Sequence, residues 1–207
     1  RPDITYSVNV LARYMSRPTQ QLMGAARNVL KYLVGTAELG LEFGPADGTN
    51  PGFMTMIGYS DADWAADKDT SRSTTGFVFL VNGCAVSWQS KLQQTVARST
   101  AESEYQALAS AVSEGLWLRK IFAEFQPITT SLTIKADSQC ALKLTENPAA
   151  IRRCKHIDVM HNFVLDRHNR SDIKLSYIST NEMIADTLTK PLVAAKFIPF
   201  RENMGLR

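Results

Sequence analysis

The chain has 207 residues, of which 44% are hydrophobic and 21% charged, and 23 Lys and Arg against 20 Asp and Glu give a formal net charge of +3. Those values suit one domain of ordinary size plus an appendage, and they exclude a wholly disordered or fibrous chain while permitting, without requiring, a nucleic-acid partner. Cys84, Cys140 and Cys154 are odd in number and widely spaced, which argues against a disulfide framework and for a reducing compartment; no apolar run has membrane-spanning length.

From residue 4 to about residue 33 the apolar spacing predicts two helices. Val8, Leu11, Ala12 and Met15 share one face, and after Pro18 a second run carries Leu22, Ala26, Val29, Leu30 and Leu33. Arg13, Arg17, Arg27 and Lys31 lie among them and read first as a solvated face. Residues 44–52 (GPADGTNPG) concentrate turn formers and place a domain boundary, so the expected units are 1–45, 46–192 and a C-terminal extension, 193–207. The chain opens at Arg1-Pro2-Asp3 without an initiator Met, as expected of a fragment of something longer.

The second unit reads as strands at 53–60, 76–81 and 85–88, with Asn82-Gly83 as a hairpin turn between the last two. A long amphipathic helix follows at 99–125, its core stripe being Ala101, Tyr105, Leu108, Val112 and Leu116. Then come a strand at 132–136, helices at 138–144 and 151–167, and a strand at 173–178. Ser179 with Glu182 resembles a capping box opening a last helix that ends at Lys190-Pro191. The order is an α/β layout: one five-stranded mixed sheet covered by helices, preceded by a helical segment.

Four acids punctuate this layout. Asp61 and Asp137 each end an apolar strand (MIGYSDADW, LTIKADSQ), Glu104 lies in the long helix (STAESEYQALA), and Asp186 lies in the last one (TNEMIADTLTK). Strand ends in open α/β sheets face a crevice, so Asp61 and Asp137 meet if their strands are neighbours. Hard divalent cations take oxygen ligands, and paired ions roughly 3.5–4 Å apart need carboxylates converging from several elements. Each acid alone also has an ordinary reading as a turn, cap or helix-dipole residue. Asp63 shares a strand face with Asp61, and Glu102 and Glu104 flank the apolar stripe at similar angles, so spacing leaves both pairs open; Glu102, three residues after Ser99, fits a capping box.

The strings RPDITYSVNVLARYMSRP, AARNVLKYLVGTAELGL, GYSDADWAADKDTSRSTTGFVFLVNGCAVSWQSKLQQTVARSTAESEYQALA, KHIDVMHNFV and IADTLTKPL closely resemble the Pol polyprotein of copia-type LTR retrotransposons, over residues 1 to about 192. The resemblance implies that residues 1–45 correspond to the tail of the reverse transcriptase region and the remainder to a ribonuclease H-like domain with helices on both faces of its sheet. It implies Asp61, Glu104, Asp137 and Asp186 as catalytic metal ligands, preferring Asp61 to Asp63 and Glu104 to Glu102. Two Mg²⁺ ions, with Mn²⁺ as substitute, and an RNA/DNA hybrid substrate follow from the same likeness. So do the polymerase region of the same polyprotein as partner and a setting in cytoplasmic virus-like particles, with the nucleus as a second compartment.

Readout of RNA by 2′-hydroxyl and backbone contacts in a wide minor groove directs attention to Ser71, Arg72, Ser73 and Thr74, to Trp88, Gln89, Ser90 and Lys91, and to Gln93, Gln94 and Arg98. Trp88 has core packing at a strand end as its other reading. Arg152, Arg153 and Lys155 form a short basic run. Cys154, His156 and His161 match no standard zinc spacing. Two departures stand out: no His precedes the last Asp in the loop from Leu175 to Asn181, and no Tyr-x-Asp-Asp polymerase motif occurs. The rival functions are an inactive connection or binding module and a strand-transfer enzyme; the latter orders its ligands Asp, Asp, Glu, whereas here Glu104 precedes Asp137.

Overall fold

Alternation along the second strand sets the architecture: Phe77 and Phe79 point to one side of a sheet, Val78 and Leu80 to the other, and all four are buried. The structure is a computed structural model that describes residues 1–44, 54–125, 131–146 and 155–207. The boundary expected at 44–52 falls almost wholly outside the described residues, as do Arg152, Arg153 and Cys154.

Five strands, β1 (Met56–Asp63), β2 (Thr74–Val81), β3 (Cys84–Leu92), β4 (Leu132–Ala136) and β5 (Ile173–Tyr177), form one sheet in the order β3-β2-β1-β4-β5. β1, β2 and β3 run antiparallel as a meander, while β4 and β5 run parallel to β1. The β2–β3 turn needs two left-handed residues, and Asn82 (φ 49°) and Gly83 (φ 77°) supply them. Parallel neighbours need long crossovers, and α3 (Thr100–Ala123), α4 (Gln139–Glu146) and α5 (Lys155–Asn169) lie in those connections.

One sheet face buries Phe77, Phe79, Leu132, Ile134 and Ile173 against Tyr105, Leu108 and Val112 of α3 and Val164 of α5. The other buries Val78, Leu80 and Ala85 against Ile184 and Leu188 and against Phe200 and Met204. Helices thus cover both faces of a mixed five-stranded sheet, as the sequence led us to expect.

The last expected helix is not one. Only Ile184–Leu188 is helical, as a short 3-10 turn whose every residue is buried, and Met183 before it is extended (φ −75°, ψ 91°). Ser179 does not cap it: its hydroxyl accepts from Asn181 N–H at 3.3 Å, and Glu182 N–H goes to the Ser179 carbonyl at 2.8 Å. A segment buried on all sides answers to packing rather than to amphipathic periodicity, and what it packs on is β2 at Gly76. A Cβ there would stand 2.6 Å from Thr189 Cγ2 and 2.9 Å from Leu188 Cβ. Gly76→Ala is therefore expected to lower stability by about 1–3 kcal/mol, as overpacking does, read from urea denaturation; an unchanged midpoint would show that the turn yields without cost.

At the N-terminus a 3-10 turn (Pro2–Ile4) leads into α1 (Thr5–Ala12) and α2 (Gln20–Gly35), the latter capped by the Thr19 hydroxyl accepting from Leu22 N–H. Both helices form where expected, but neither contains a buried residue, and Val8, Met15 and Leu30 of the expected apolar face are exposed. Polar ties hold this hairpin to the sheet unit. Arg13 pairs with Asp67 at 3.1 Å and donates to Thr74 Oγ1 at 3.3 Å.

Residues 193–207, expected only as an extension, contain α6 (Ala194–Asn203). After it the chain runs antiparallel to residues 40–42: Gly40 and Arg207 exchange backbone hydrogen bonds at 2.8 and 3.0 Å, and Leu41 bridges Leu206.

Candidate metal centre

The register of β1 and β4 places two carboxylates side by side. Ser60 pairs with Ala136, so the next residues, Asp61 still within β1 and Asp137 just past β4, stand side by side where the pairing of the two parallel strands ends. The third acid comes from the first turns of α3. There the Ser99 hydroxyl accepts from Glu102 N–H at 3.2 Å, and Glu102 Oε2 accepts from Arg98 N–H at 2.9 Å, so Glu102 is spent on the helix start. Glu104 instead faces β1, where the Ala62 N–H works against the rise of its pKa. One oxygen each of Asp61, Glu104 and Asp137 lies within 4.8 Å of the others. Asp63, half-buried one pleat further on, is not in this group.

Burial pushes the Asp61 carboxyl up to about 7, with the negative charges of Asp186 and Asp137 adding to the rise and Lys190 and the Thr189 hydroxyl opposing it. Burial pushes Glu104 to about 9, again with Asp61 and Asp137 reinforcing and Lys190 and the Ala62 N–H opposing. Such shifts measure how poorly the pocket tolerates its own charge without a counter-ion. The hydroxyl of Thr189 donates to Asp61 Oδ2, and that of Thr180 donates to Asp137 Oδ2 at 2.8 Å, orienting both carboxylates.

Asp186 stands apart from the three. Fully buried in the 3-10 turn, it meets Lys190 Nζ at 2.8 Å through Oδ1 and Lys196 Nζ at 2.6 Å through Oδ2. Lys190 Nζ also lies 3.7 Å from Asp61 Oδ2, so the fourth acid joins the group through an ammonium and not directly. Burial works to lower the Lys190 pKa, but the surrounding carboxylates outweigh it and hold it raised. Sequence reasoning missed both lysines. Lys190 carried a usable signal, four residues after Asp186; Lys196 carried none.

The expected nucleic-acid contacts divide by exposure. Ser73, Thr74 and Ser90 are buried, and the first two are occupied, Ser73 Oγ accepting from Ala65 N–H and Thr74 Oγ1 from Arg13. Gln93 is buried too, its amide donating to Thr75 Oγ1 and the Ser103 carbonyl at 3.0 and 2.9 Å. Trp88 packs half-buried on the Val78, Leu80 and Leu188 cluster. Burial leaves Ser73, Thr74, Ser90 and Gln93 little side-chain surface to offer a ligand, while Trp88 keeps part of its own. Ser71, Lys91, Gln94 and Arg98 are exposed, Arg72 and Gln89 partly so, and Gln89, Lys91 and Gln94 help line one open cleft. The Ser71–Arg72 loop is braced by Asp67, whose Oδ1 accepts from Thr70 N–H and Oγ1 while its other oxygen meets Arg13.

His161 is buried, with Nε2 2.9 Å from the Leu144 carbonyl and its ring 5.8 Å from that of Tyr105. Cys84 and Cys140 are free thiols.

The strand order and the acid-bearing strand ends define a ribonuclease H fold. The solved structure of LC11-RNase H1, isolated from compost by a metagenomic approach, superposes with a TM-score of 0.50 at 15% identity, covering 65% of this chain and 92% of that one. No protein-family model matches the chain. By sequence the chain is similar over its full length to a part of the retrovirus-related Pol polyproteins of copia-type plant transposons. It is 38% identical over 206 residues to the Pol polyprotein from transposon TNT 1-94 of Nicotiana tabacum. It is 36% identical over 207 residues to that from transposon RE1 of Arabidopsis thaliana. Both alignments take in 100% of this chain but only 15% and 14% of those proteins. Among the described residues no helix is long and apolar enough to cross a membrane.

Proposed function

We propose that this ribonuclease H-like domain hydrolyses the RNA strand of RNA/DNA hybrids with divalent metal, serving reverse transcription beside a polymerase region of the same polyprotein, in the cytoplasm. The observation that carries the reading is the convergence of Asp61, Glu104 and Asp137 from β1, α3 and β4.

Their chemistry fits a hard cation. The donors are all carboxylate oxygens, two of them are driven toward protonation by burial and mutual repulsion, and a dication removes that penalty. Asp61, Glu104 and Asp137 would hold Mg²⁺, with Mn²⁺ as substitute. When bound, such an ion supplies Lewis acidity and lowers the pKa of water at the scissile phosphate. The residues of the chain do the rest: Thr189 and Thr180 fix two carboxylates, and Ser71, Arg72, Gln89, Lys91, Gln94 and Arg98 offer polar and basic groups for phosphates and 2′-hydroxyls.

The test is cleavage of an end-labelled hybrid in Mg²⁺, in Mn²⁺ and in EDTA, beside DNA duplex of the same sequence. Cutting confined to the RNA strand and dependent on metal is expected; no cutting in either metal sinks the proposal. The locking of Asp186 by two lysines favours one second reading, a hybrid-binding module without hydrolysis, which would show as retained hybrid binding and no product.

A further inference from the structure

Asp186 sits among more positive charge than it can balance. Both of its oxygens are in ion pairs, at 2.8 Å to Lys190 and 2.6 Å to Lys196, so two ammonium groups face one carboxylate. The surplus points at the acid group, with Lys190 Nζ 3.7 Å from Asp61 Oδ2. Lys196 comes from α6, outside residues 46–192. It also donates to the Thr180 carbonyl at 3.0 Å, and the Thr180 hydroxyl in turn holds Asp137. One lysine therefore links the C-terminal helix, the fourth acid and the segment that orients the third.

We propose that Lys190 and Lys196 are built-in counter-cations of Asp186: the chain takes one divalent ion at Asp61, Glu104 and Asp137, and admits a second between Asp61 and Asp186 only by displacing the Lys190 ammonium. This rests on the metal-site reading above. A lysine is a point charge on a flexible stem, and both side chains keep about 30% of their surface in contact with solvent (31% and 28%), so each has a route out. Both are positioning residues that act through Asp186. The ordering of the two ions follows from charge alone, because a dication arriving beside a retained ammonium is repelled by it. Displacing Lys190 also requires Asp186 to exchange one partner for another without passing through a bare buried charge.

Calorimetric titration of the full chain with MgCl₂ and with MnCl₂, in the absence of nucleic acid, tests this without reference to activity. Wild type should show one strong binding event per chain. In Lys190→Met and in Lys196→Met, which keep length but remove charge, a second event should tighten by at least about tenfold. Lys196→Arg, which keeps the charge, should resemble wild type. Lys196 lies on a partly exposed helix, so its variants answer the question even where Lys190→Met fails to fold. Second-event affinities equal in wild type and both Met variants overturn the inference, as does equal tightening in Lys196→Arg. Asp137→Asn separates the two readings. Loss of the strong event there, with no change in the lysine variants, removes this inference and leaves the metal site standing; a wild type that binds no ion removes both.

Discussion

Asp137→Asn should reduce metal-dependent cleavage of the RNA strand by at least about 10³-fold, the scale on which removal of one preorganised charged group is felt in a transition state, while leaving the fold intact. Asp137 is only partly buried, follows the last residue of β4 and, among the described residues, accepts one side-chain hydrogen bond, from Thr180. Asparagine keeps the shape and can still accept from that hydroxyl. It also deletes a charge that raises the carboxyl pKa of both Asp61 and Glu104, so the metal-free variant should melt at the wild-type temperature or slightly above it. Calorimetric melting and hybrid cleavage on one preparation check both halves. Equal activity would remove Asp137 from the site, and a large drop in Tm would mean the residue is structural.

A pH dependence follows from the same group, and its sign is unusual for carboxylates. Asp61 and Glu104 titrate higher in the folded chain than in the unfolded one, so the folded state binds their protons more tightly. The metal-free protein is penalised increasingly as pH rises from about 4, where unfolded carboxyls ionise, through the folded values near 7 and 9. The loss should be on the order of several kcal/mol across that window. Asp3 and Asp67 act in the opposite sense. Burial works to raise both, but Arg1 and Tyr32 in one case, and Thr70 and Arg13 in the other, hold them lowered, and that contribution is lost only below about pH 4. Urea titrations at pH 5.5 and 8.5 should therefore show the metal-free chain more stable at the lower pH, and saturating Mg²⁺ should raise Tm more at the higher one. A metal-free stability that is flat or rising over that interval would contradict the placement of these two carboxyls.

What could be read from the residues was whatever had a period or a turn. Alternation around Phe77 and Phe79, the Asn82-Gly83 turn and the long stripe through Tyr105, Leu108 and Val112 are local signals, and each element formed within a few residues of its expected place. Asp137 was legible because a strand end is a position as well as a residue; Asp61 lies two residues inside the end of β1 but just past the end of its pairing with β4. What was not legible depended on packing between distant segments. The run from Thr180 to Lys190 has helical spacing, yet its burial against Gly76 leaves one 3-10 turn. Gln93 and Ser73 look like polar surface in one dimension and are buried in the fold, while Trp88 is half-buried against the cluster behind β2. Lys196 was invisible as a partner of Asp186 because nothing local marks where a helix ten residues further on will dock.

The clasp between residues 40–42 and 205–207 bears on how far this unit can be trimmed. Excising 46–192 would strip Leu41, Phe200 and Met204 from the back of the sheet and leave Val78, Leu80 and Leu188 facing water, an apolar patch of the kind that drives self-association. The same cut would halve the positive charge facing Asp186. An autonomous fragment would have to carry both flanking arms, since together they form the lid on a face that the sheet cannot shield by itself.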